Sequence, residues 1–391
     1  MKQVPDAHTL MRAAQSAAGS SDWGDFDPSR NLQVLLDQIA HSPIAAAGLE
    51  RLLKRIHMLL CNRLGMAAAR RRDPTIAAGR IERPIIILGL PRSGTSNLLS
   101  LLAADPAHRV PRMWEIYRPC PPPLADTYDS DPRIGEVQDF LASEGFAGNK
   151  ALQAAHPFDA RLPEECGFIW EHMFCTMTFG AFLDMPGYND WVLNRADWDE
   201  VYRFHHQFLQ HLQCAYGADR WVLKTPEHGQ HVPELVAAYP DAILLFTHRD
   251  PAKVVPSLTS NIIELRKLWA GVESVDPRTV AEFVLELQAE GVRRTMAARR
   301  DPAVDRLFYD IDFFDLTERP LETMERMYSH FGLPFTDAAR EGIRGYVDNE
   351  ARKLHGHGGH AYSLADYGYA PAEIDAAFGE YIAHYHVPLT R

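Results

Sequence analysis

The sequence has little positive charge, few cysteines and no long apolar run. Its 40 lysines and arginines are outnumbered by 52 aspartates and glutamates, which gives a formal net charge of −12 at pH 7. A chain without a basic excess has no strong positive field with which to release counterions from a nucleic acid. The composition therefore argues against general nucleic-acid binding. Any small anionic ligand must be held by local arginines and lysines in a discrete pocket.

The cysteines and the apolar segments exclude further classes of protein. The five cysteines are odd in number and show no C-x-x-C spacing, which is typical of free thiols in a reducing cytoplasm rather than of disulfides or a zinc site. Residues 1–10 lack the apolar core of a signal peptide, and no apolar run reaches the ~20 residues that span a bilayer. We expect a cytoplasmic protein without a transmembrane segment and without a bound metal.

What the sequence does contain is a strand, a glycine loop and a helix in series over residues 83–101. The run Ile85–Leu88 shows no polar alternation, which is typical of a parallel strand buried on both faces. The loop Gly89–Ser96 (GLPRSGTS) follows, and an apolar helix continues to Leu102. Such a loop brings several N–H groups and the positive end of the helix dipole to one point. The stretch therefore predicts a phosphate-binding site.

The same loop lacks the lysine of the nucleotide-triphosphate motif G-x-x-x-x-G-K-[ST], because Thr95 stands at that position. In that motif the lysine reaches the β- and γ-phosphates, so tight triphosphate binding is disfavoured here. The positive charge lies instead at Arg92, inside the loop. An anion with one phosphate and one further tetrahedral group would fit this loop better.

Polar residues also follow two later apolar runs. Lys224 and Thr225 come after residues 221–223, and Arg249 comes shortly after residues 242–246. Ser257 stands eight residues beyond Arg249, about two turns into the next predicted helix. Ligands of an open parallel sheet lie at the carboxyl ends of its strands, so we expect these groups to converge on the loop. Arg249 and Ser257 are spaced to hold one phosphate together.

These signals predict an α/β fold with a P-loop-like, three-layer arrangement around a central, mostly parallel sheet. We assign this domain to residues 81–391, with a further strand at residues 307–309. Residues 1–80 are predicted to form an N-terminal helical extension, because apolar side chains stand at helical spacing from Asn31 onward, whereas residues 1 to about 30 are polar and are expected to be loosely held.

The motifs resemble those of the sulfotransferases that use 3′-phosphoadenosine 5′-phosphosulfate (PAPS). Pro91–Ser96 (PRSGTS) is similar to their 5′-phosphosulfate loop. It is closer to the loop P-R-S-G-T-T of the tyrosylprotein sulfotransferases than to the loop of the cytosolic members. Arg249–Ser257 (RDPAKVVPS) is similar to their 3′-phosphate element. Residues 313–316 (FFDL) are close to their Y-E-D-L, with Phe313 in place of the tyrosine. Residues 356–360 look like a variant of their C-terminal glycine loop.

The resemblance implies an enzyme that moves a sulfuryl group from PAPS to an acceptor hydroxyl and leaves adenosine 3′,5′-bisphosphate. It implies that Arg92 lies beside the transferring group and that Lys224 neutralises the leaving group. It also implies that residues 93–96 hold the 5′-phosphate, while Arg249 and Ser257 hold the 3′-phosphate. The residues assigned to the donor are Arg92, Ser93, Gly94, Thr95, Ser96, Arg249, Ser257, Gly358, Gly359 and His360.

The base that deprotonates the acceptor has two candidates. Cytosolic members of the family carry a histidine after a K-T pair, and Pro226 stands there in this chain. Glu115 occupies the region in which tyrosylprotein sulfotransferases place a glutamate base, and His228 lies two residues beyond Pro226. Either group can accept the proton of a hydroxyl. We prefer Glu115 and keep His228 as the alternative.

Two other functions compete with sulfuryl transfer. A P-loop kinase-like phosphotransferase is disfavoured by Thr95, and a nucleotide-binding protein without catalysis is disfavoured by the presence of Arg92 and Lys224. The apolar and aromatic stretches Trp114–Pro123 and Phe168–Phe182 indicate a partly hydrophobic acceptor, whether small molecule, lipid or carbohydrate. The sequence leaves the acceptor and the oligomeric state open.

Overall fold

A parallel sheet carries the predicted phosphate loop at its centre. The computed structural model describes residues 4–146, 148–149, 152–153, 157–354 and 363–389. Within these residues the strands are β1 (Ile85–Gly89), β2 (His108–Arg109), β3 (Arg220–Lys224), β4 (Ile243–His248) and β5 (Phe308–Asp312). Their order is β2-β3-β1-β4-β5, and every neighbouring pair is parallel. The predicted parallel α/β sheet is confirmed.

The central strand β1 is buried because all four residues of Ile85–Leu88 are apolar, and each is 0% exposed. In the register of the sheet, Ile87 lies beside Lys224 of β3, and Gly89 lies beside Thr247 of β4. The polar ends of β3 and β4 therefore flank the loop that leaves β1.

The helices are bounded as follows: α1 Ala7–Ala18, α2 Ser29–His41, α3 Ala46–Arg72, α4 Thr95–Ala103, α5 Met113–Tyr117, α6 Arg133–Ser143, α7 Cys166–Trp170, α8 Met177–Phe182, α9 Pro186–Asn194, α10 Trp198–Gln213, α11 Val232–Ala238, α12 Pro251–Ala270, α13 Pro277–Ala298, α14 Pro302–Asp305, α15 Phe313–Glu318, α16 Pro320–His330, α17 Asp337–Leu354 and α18 Pro371–Tyr385. None of the described helices combines the length and apolarity needed to cross a membrane.

Helices cover both faces of the sheet. On one face, Ile87 and Leu245 join a buried core with Leu98 of α4 and Met327 of α16. On the other face, the Phe246 ring of β4 lies edge-on to Tyr385 of α18, with 5.5 Å between the ring centroids. Alternate residues of each strand thus meet different helices, as the two-sided burial of the apolar runs predicts.

The chain divides into two compact units. The first contains residues 1–81, 111–217 and 261–275, and the second contains residues 82–110, 218–260 and 276–391. The sheet lies in the second unit, whereas the first contains the N-terminal helices α1–α3. The helical periodicity predicts α2 and α3, but the expectation that residues 1 to about 30 are loosely held is wrong for α1, whose buried face includes Leu10, Met11 and Ala14. The division into domains at residues 1–80 and 81–391 stays a prediction.

Candidate active site

The loop after β1 has a backbone that few residues other than glycine can adopt. Gly94 has a φ of 92°, and a Cβ there would lie 2.9 Å from Leu316 Cδ2. Arg92 also lies in the left-handed region, with a φ of 66°, which is uncommon for a side chain of its size. Helix α4 then begins without a capping side chain among the described residues. Its first N–H groups therefore remain available to an anion.

Ser93 is fully buried, and its hydroxyl holds the loop closed. The Ser93 Oγ lies 2.6 Å from Thr247 Oγ1 and donates to the carbonyl of Leu90. Sequence reasoning missed Thr247, whose only signal is a hydroxyl near the end of a neighbouring apolar strand. The expected contact of Ser93 with a 5′-phosphate stays a prediction, and these partners give its side chain a structural role as well.

Arg92, Arg249 and Ser257 come together although they derive from two distant motifs. Arg249 Nη1 donates to the backbone carbonyl of Arg92 at 2.6 Å. The side chain of Arg92 turns toward α12, where its Nε donates to Ser257 Oγ at 3.3 Å. The convergence that we expected from the parallel sheet is therefore present for these three residues.

The guanidinium of Arg249 lies against an aromatic ring. Its Cζ is 3.9 Å from the centroid of Phe313, the residue that stands where the resembling family has tyrosine. Burial and the nearby charge of Arg92 lower the pKa of Arg249, and Asp250 only partly opposes them. The described residues supply no carboxylate within 4.0 Å of this guanidinium. Two close arginines form an electropositive point that favours an anion.

Lys224 reaches the start of α4 from the neighbouring strand. It is 2% exposed, and its Nζ donates to Ser96 Oγ at 3.2 Å. Thr95, at the position of the missing loop lysine, is 4% exposed in the first turn of α4. A lysine from β3 thus supplies a cation to the loop whose own lysine position is a threonine.

The two candidate bases have different surroundings. His228 is fully buried in the 3-10 turn Pro226–Gln230, whose Gly229 carbonyl accepts from Thr295 Oγ1 at 2.8 Å. Glu115 belongs to the first unit, where it is also fully buried. Its Oε1 accepts from the Arg112 N–H at 3.0 Å and from the Tyr128 hydroxyl at 3.2 Å.

Three further predicted donor residues, Gly358, Gly359 and His360, lie outside the described residues. The parallel sheet, the glycine loop and the converging basic side chains of the second unit are typical of α/β proteins that bind an anionic ligand at the carboxyl ends of their strands.

The family follows from comparison with known proteins. A model described as the sulfotransferase family matches residues 84–337, and the chain belongs to that family. Among curated proteins it is similar to the omega-hydroxy-beta-dihydromenaquinone-9 sulfotransferase Stf3 of Mycobacterium tuberculosis. The two are 24% identical over 283 residues, which are 69% of this chain and 68% of that protein.

Two solved structures extend the likeness to almost the whole chain. Sulfotransferase STF9 from Mycobacterium avium is 27% identical, with a TM-score of 0.88, and the match covers 100% of this chain and 99% of that one. Sulfotransferase STF1 from Mycobacterium tuberculosis is 30% identical, with a TM-score of 0.82 over 97% of this chain and 99% of that one. The protein is therefore a sulfotransferase-family enzyme with the fold that its sequence predicts.

Proposed function

We propose that this enzyme transfers a sulfuryl group from PAPS to a hydroxyl on a largely apolar acceptor. The observation that carries the proposal is the contact of Arg249 with the carbonyl of Arg92 at 2.6 Å, joined to the contact of Arg92 with Ser257 at 3.3 Å. One cluster thus holds groups suited to both anionic ends of a donor that has a 3′-phosphate and a 5′-phosphosulfate. A donor without the 3′-phosphate would leave the Arg249–Ser257 pair unused.

In the reaction, the acceptor oxygen forms a bond to sulfur while the bond from sulfur to the bridging phosphate oxygen breaks. The acceptor proton passes to a protein base, and the products are a sulfate ester and adenosine 3′,5′-bisphosphate. Positioning and charge stabilisation dominate such in-line transfers. We assign stabilisation of the transferring group to Arg92 and that of the leaving phosphate oxygen to Lys224.

One hydroxyl can serve both ends of the proposed donor site. The Ser257 hydroxyl accepts from Arg92 Nε at 3.3 Å, and its own O–H group can donate to a phosphate oxygen. A 3′-phosphate at Ser257 would therefore bind without displacing Arg92.

For the acceptor, we propose a hydroxyl carried by a lipid-like body. The mycobacterial relative Stf3 is named for a hydroxylated dihydromenaquinone. The predicted acceptor stretches of this chain are also strongly apolar, with Trp114, Phe168 and Phe182 all buried. A cytoplasmic location is supported by the five cysteines, all of which are free thiols.

Thermal-shift measurements with adenosine 3′,5′-bisphosphate, AMP and ATP test the donor. We expect the bisphosphate to raise the melting temperature most, because it carries the 3′-phosphate that Arg249 and Ser257 are proposed to hold. At 100 times its Kd, a ligand stabilises the folded protein by about 2.7 kcal/mol. Stabilisation by ATP without stabilisation by the bisphosphate would contradict the proposal and favour a phosphotransferase. Labelled PAPS with a panel of hydroxylated isoprenoids, sugars and phenols then identifies the acceptor.

The base is tested by Glu115→Gln and His228→Ala. We expect Glu115→Gln to lower kcat by about 100-fold or more, because a general base typically contributes that much. The affinity for adenosine 3′,5′-bisphosphate should stay unchanged. If only His228→Ala lowers kcat in this way, the base is His228.

A further inference from the structure

The first unit contains a cavity of about 430 Å³ whose lining includes none of the residues assigned to sulfuryl transfer. The cavity lies among residues 22–26, the C-terminal half of α3 and the middle of α10. Its volume falls in the range of small-molecule sites. The lining residues that matter for its chemistry are Trp23, Phe26, Arg63, Met66, Arg70 and Phe204.

Arg63 in this cavity is a buried cation without a carboxylate partner. The side chain is 2% exposed, and no carboxylate of the described residues lies within 4.0 Å of its guanidinium. Nη1 donates to the His172 carbonyl at 2.9 Å, and Nη2 donates to the Phe26 carbonyl. Nε has no hydrogen-bond partner among the described residues. Burial lowers the pKa of Arg63 to about 10, so it is charged at neutral pH but poorly compensated.

Arg70 adds a second cation that no described carboxylate approaches within ion-pair distance. Its Nη1 donates to Gln210 Oε1 at 3.2 Å, and burial lowers its pKa. The two aspartates of the lining have other partners. Asp22 forms an ion pair with Arg71, and Asp25 accepts from Gln207 Nε2 at 2.7 Å. Glu200 and Asp27 act on Arg63, and Asp25 acts on Arg70, only at longer range, and in each case burial outweighs them. An anion within hydrogen-bond distance would compensate the two cations more fully.

The rest of the lining is apolar and aromatic. The rings of Phe26 and Phe204 pack edge to face with 5.7 Å between centroids, and Arg63 Cζ lies 5.0 Å from the centroid of Phe204. Met66 and Ala67 of α3 complete this surface. A ligand with a charged end and a flat apolar body would meet complementary chemistry at both ends.

We propose that this cavity is a second, non-catalytic binding site for a compact aromatic or alicyclic anion with a single carboxylate, sulfate or sulfonate group. The acidic group lies at Arg63 and Arg70, and the ring system lies against Phe26, Phe204 and Met66. This site is independent of the proposed donor and acceptor, because its residues have no part in the transfer.

Fluorescence titration with two matched dyes tests the proposal on the full-length protein. 8-Anilinonaphthalene-1-sulfonate carries the anion, and N-phenyl-1-naphthylamine has the same ring system without it. Both titrations are made with saturating adenosine 3′,5′-bisphosphate. We expect the sulfonate to bind at least tenfold more tightly than the neutral dye. Equal affinity for the two dyes would overturn the proposal.

Variants then locate the dye. Arg70→Gln and Arg63→Met should weaken the sulfonate at least fivefold while changing the neutral dye less than twofold. Arg72→Gln is the matched control, because Arg72 is exposed and does not line the cavity. If Arg63→Met does not fold, Arg70→Gln alone decides the matter. Unchanged sulfonate binding in Arg70→Gln, or equal weakening of both dyes, would overturn the assignment.

Discussion

Two arginines, one in each unit, show how differently this chain surrounds a positive charge. Arg55 is 0% exposed in the first unit, and Glu171 accepts from its Nε at 2.9 Å and its Nη2 at 2.8 Å. Glu144 adds a contact at 3.3 Å. Arg249 in the second unit instead meets a backbone carbonyl and the ring of Phe313. The first charge is neutralised by the fold, whereas the second has no ion pair among the described residues.

The same difference appears in the pKa values of Arg55 and Arg249. Burial opposes the charge of Arg55, but Glu171, Tyr117 and Glu144 outweigh it and raise its pKa. Burial also opposes the charge of Arg249, and there Arg92 adds to the effect, so its pKa is lowered. Carboxylates thus stabilise the charge of Arg55, whereas a carbonyl and a ring orient Arg249 without cancelling its charge, which is what we propose for an arginine that binds the donor.

The largest expected effect comes from Arg55→Ala. The change leaves Glu171 and Glu144 buried without their cation, so we expect the free energy of unfolding to fall by about 3–5 kcal/mol. Urea denaturation measures it. Lys54→Ala is the neighbouring control, since its ion pair with Glu50 is exposed and its loss should change the free energy of unfolding little. A loss below about 1 kcal/mol for Arg55→Ala would remove the contrast between the two arginines.

A smaller effect, on binding rather than on stability, is expected from Arg249→Ala. Loss of its charge-assisted contact should weaken adenosine 3′,5′-bisphosphate by about 1–3 kcal/mol, as measured by calorimetry. The free energy of unfolding should change little, because no carboxylate is left buried. Arg300→Ala, which removes an exposed arginine 3.8 Å from Glu380, is the control. Unchanged affinity in Arg249→Ala would exclude Arg249 from the donor site.

Asp310 shows that the second unit also compensates charge where no ligand is expected. Its carboxylate accepts from Arg299 at 2.6 and 2.8 Å, and His248 Nε2 lies 2.8 Å away. Burial raises the pKa of Asp310, but these partners outweigh it and bring the pKa to about 2.

Because the folded pKa of Asp310 lies below its ordinary value of 3.8, the ionised carboxylate stabilises the fold above that pH. This stabilisation is lost as the pH falls from about 4 to about 2. We expect Asp310→Asn to flatten the acid limb of the stability profile by about 1 kcal/mol, a modest value because the side chain is 39% exposed. Acid titrations of both proteins by circular dichroism measure it. Parallel profiles would contradict the prediction.

The smallest effect is expected from Phe313→Leu, which removes the ring beneath Arg249. A cation–π contact at a partly exposed site contributes about 0.5–1 kcal/mol, and we expect bisphosphate binding to weaken by that amount. Phe313→Tyr keeps the ring and should bind like the wild type. A Leu variant with unchanged affinity would mean that the ring does not orient the guanidinium.

The sequence allowed the sheet and the convergence of Arg92, Arg249 and Ser257 to be predicted, since parallel strands bring their carboxyl ends to one edge. It did not allow β2 to be predicted, because two residues, His108 and Arg109, carry no apolar pattern. The other strands could be predicted because each is long enough to show an apolar run, whereas β2 is too short to show one.

Apart from that convergence, the partners of individual polar side chains could not be predicted. Ser93 and Thr247 are 154 positions apart, and Arg55 and Glu171 are 116 apart. A lone serine or arginine in a sequence does not show which carbonyl, carboxylate or ring will meet it. The cavity around Arg63 was missed for the same reason. The lack of an ion pair for Arg63 can be recognised only when its neighbours in the structure are known.

The pairing of Gly89 with Thr247 limits which residue can stand at the start of the loop. A Cβ at Gly89 would lie 2.6 Å from Thr247 Oγ1, and the φ of Gly89 is 130°. A larger residue at this position would therefore push β1 away from β4 or strain the backbone. Because the loop leaves β1 and Arg249 follows β4, such a change would disturb the contact between Arg249 and the Arg92 carbonyl.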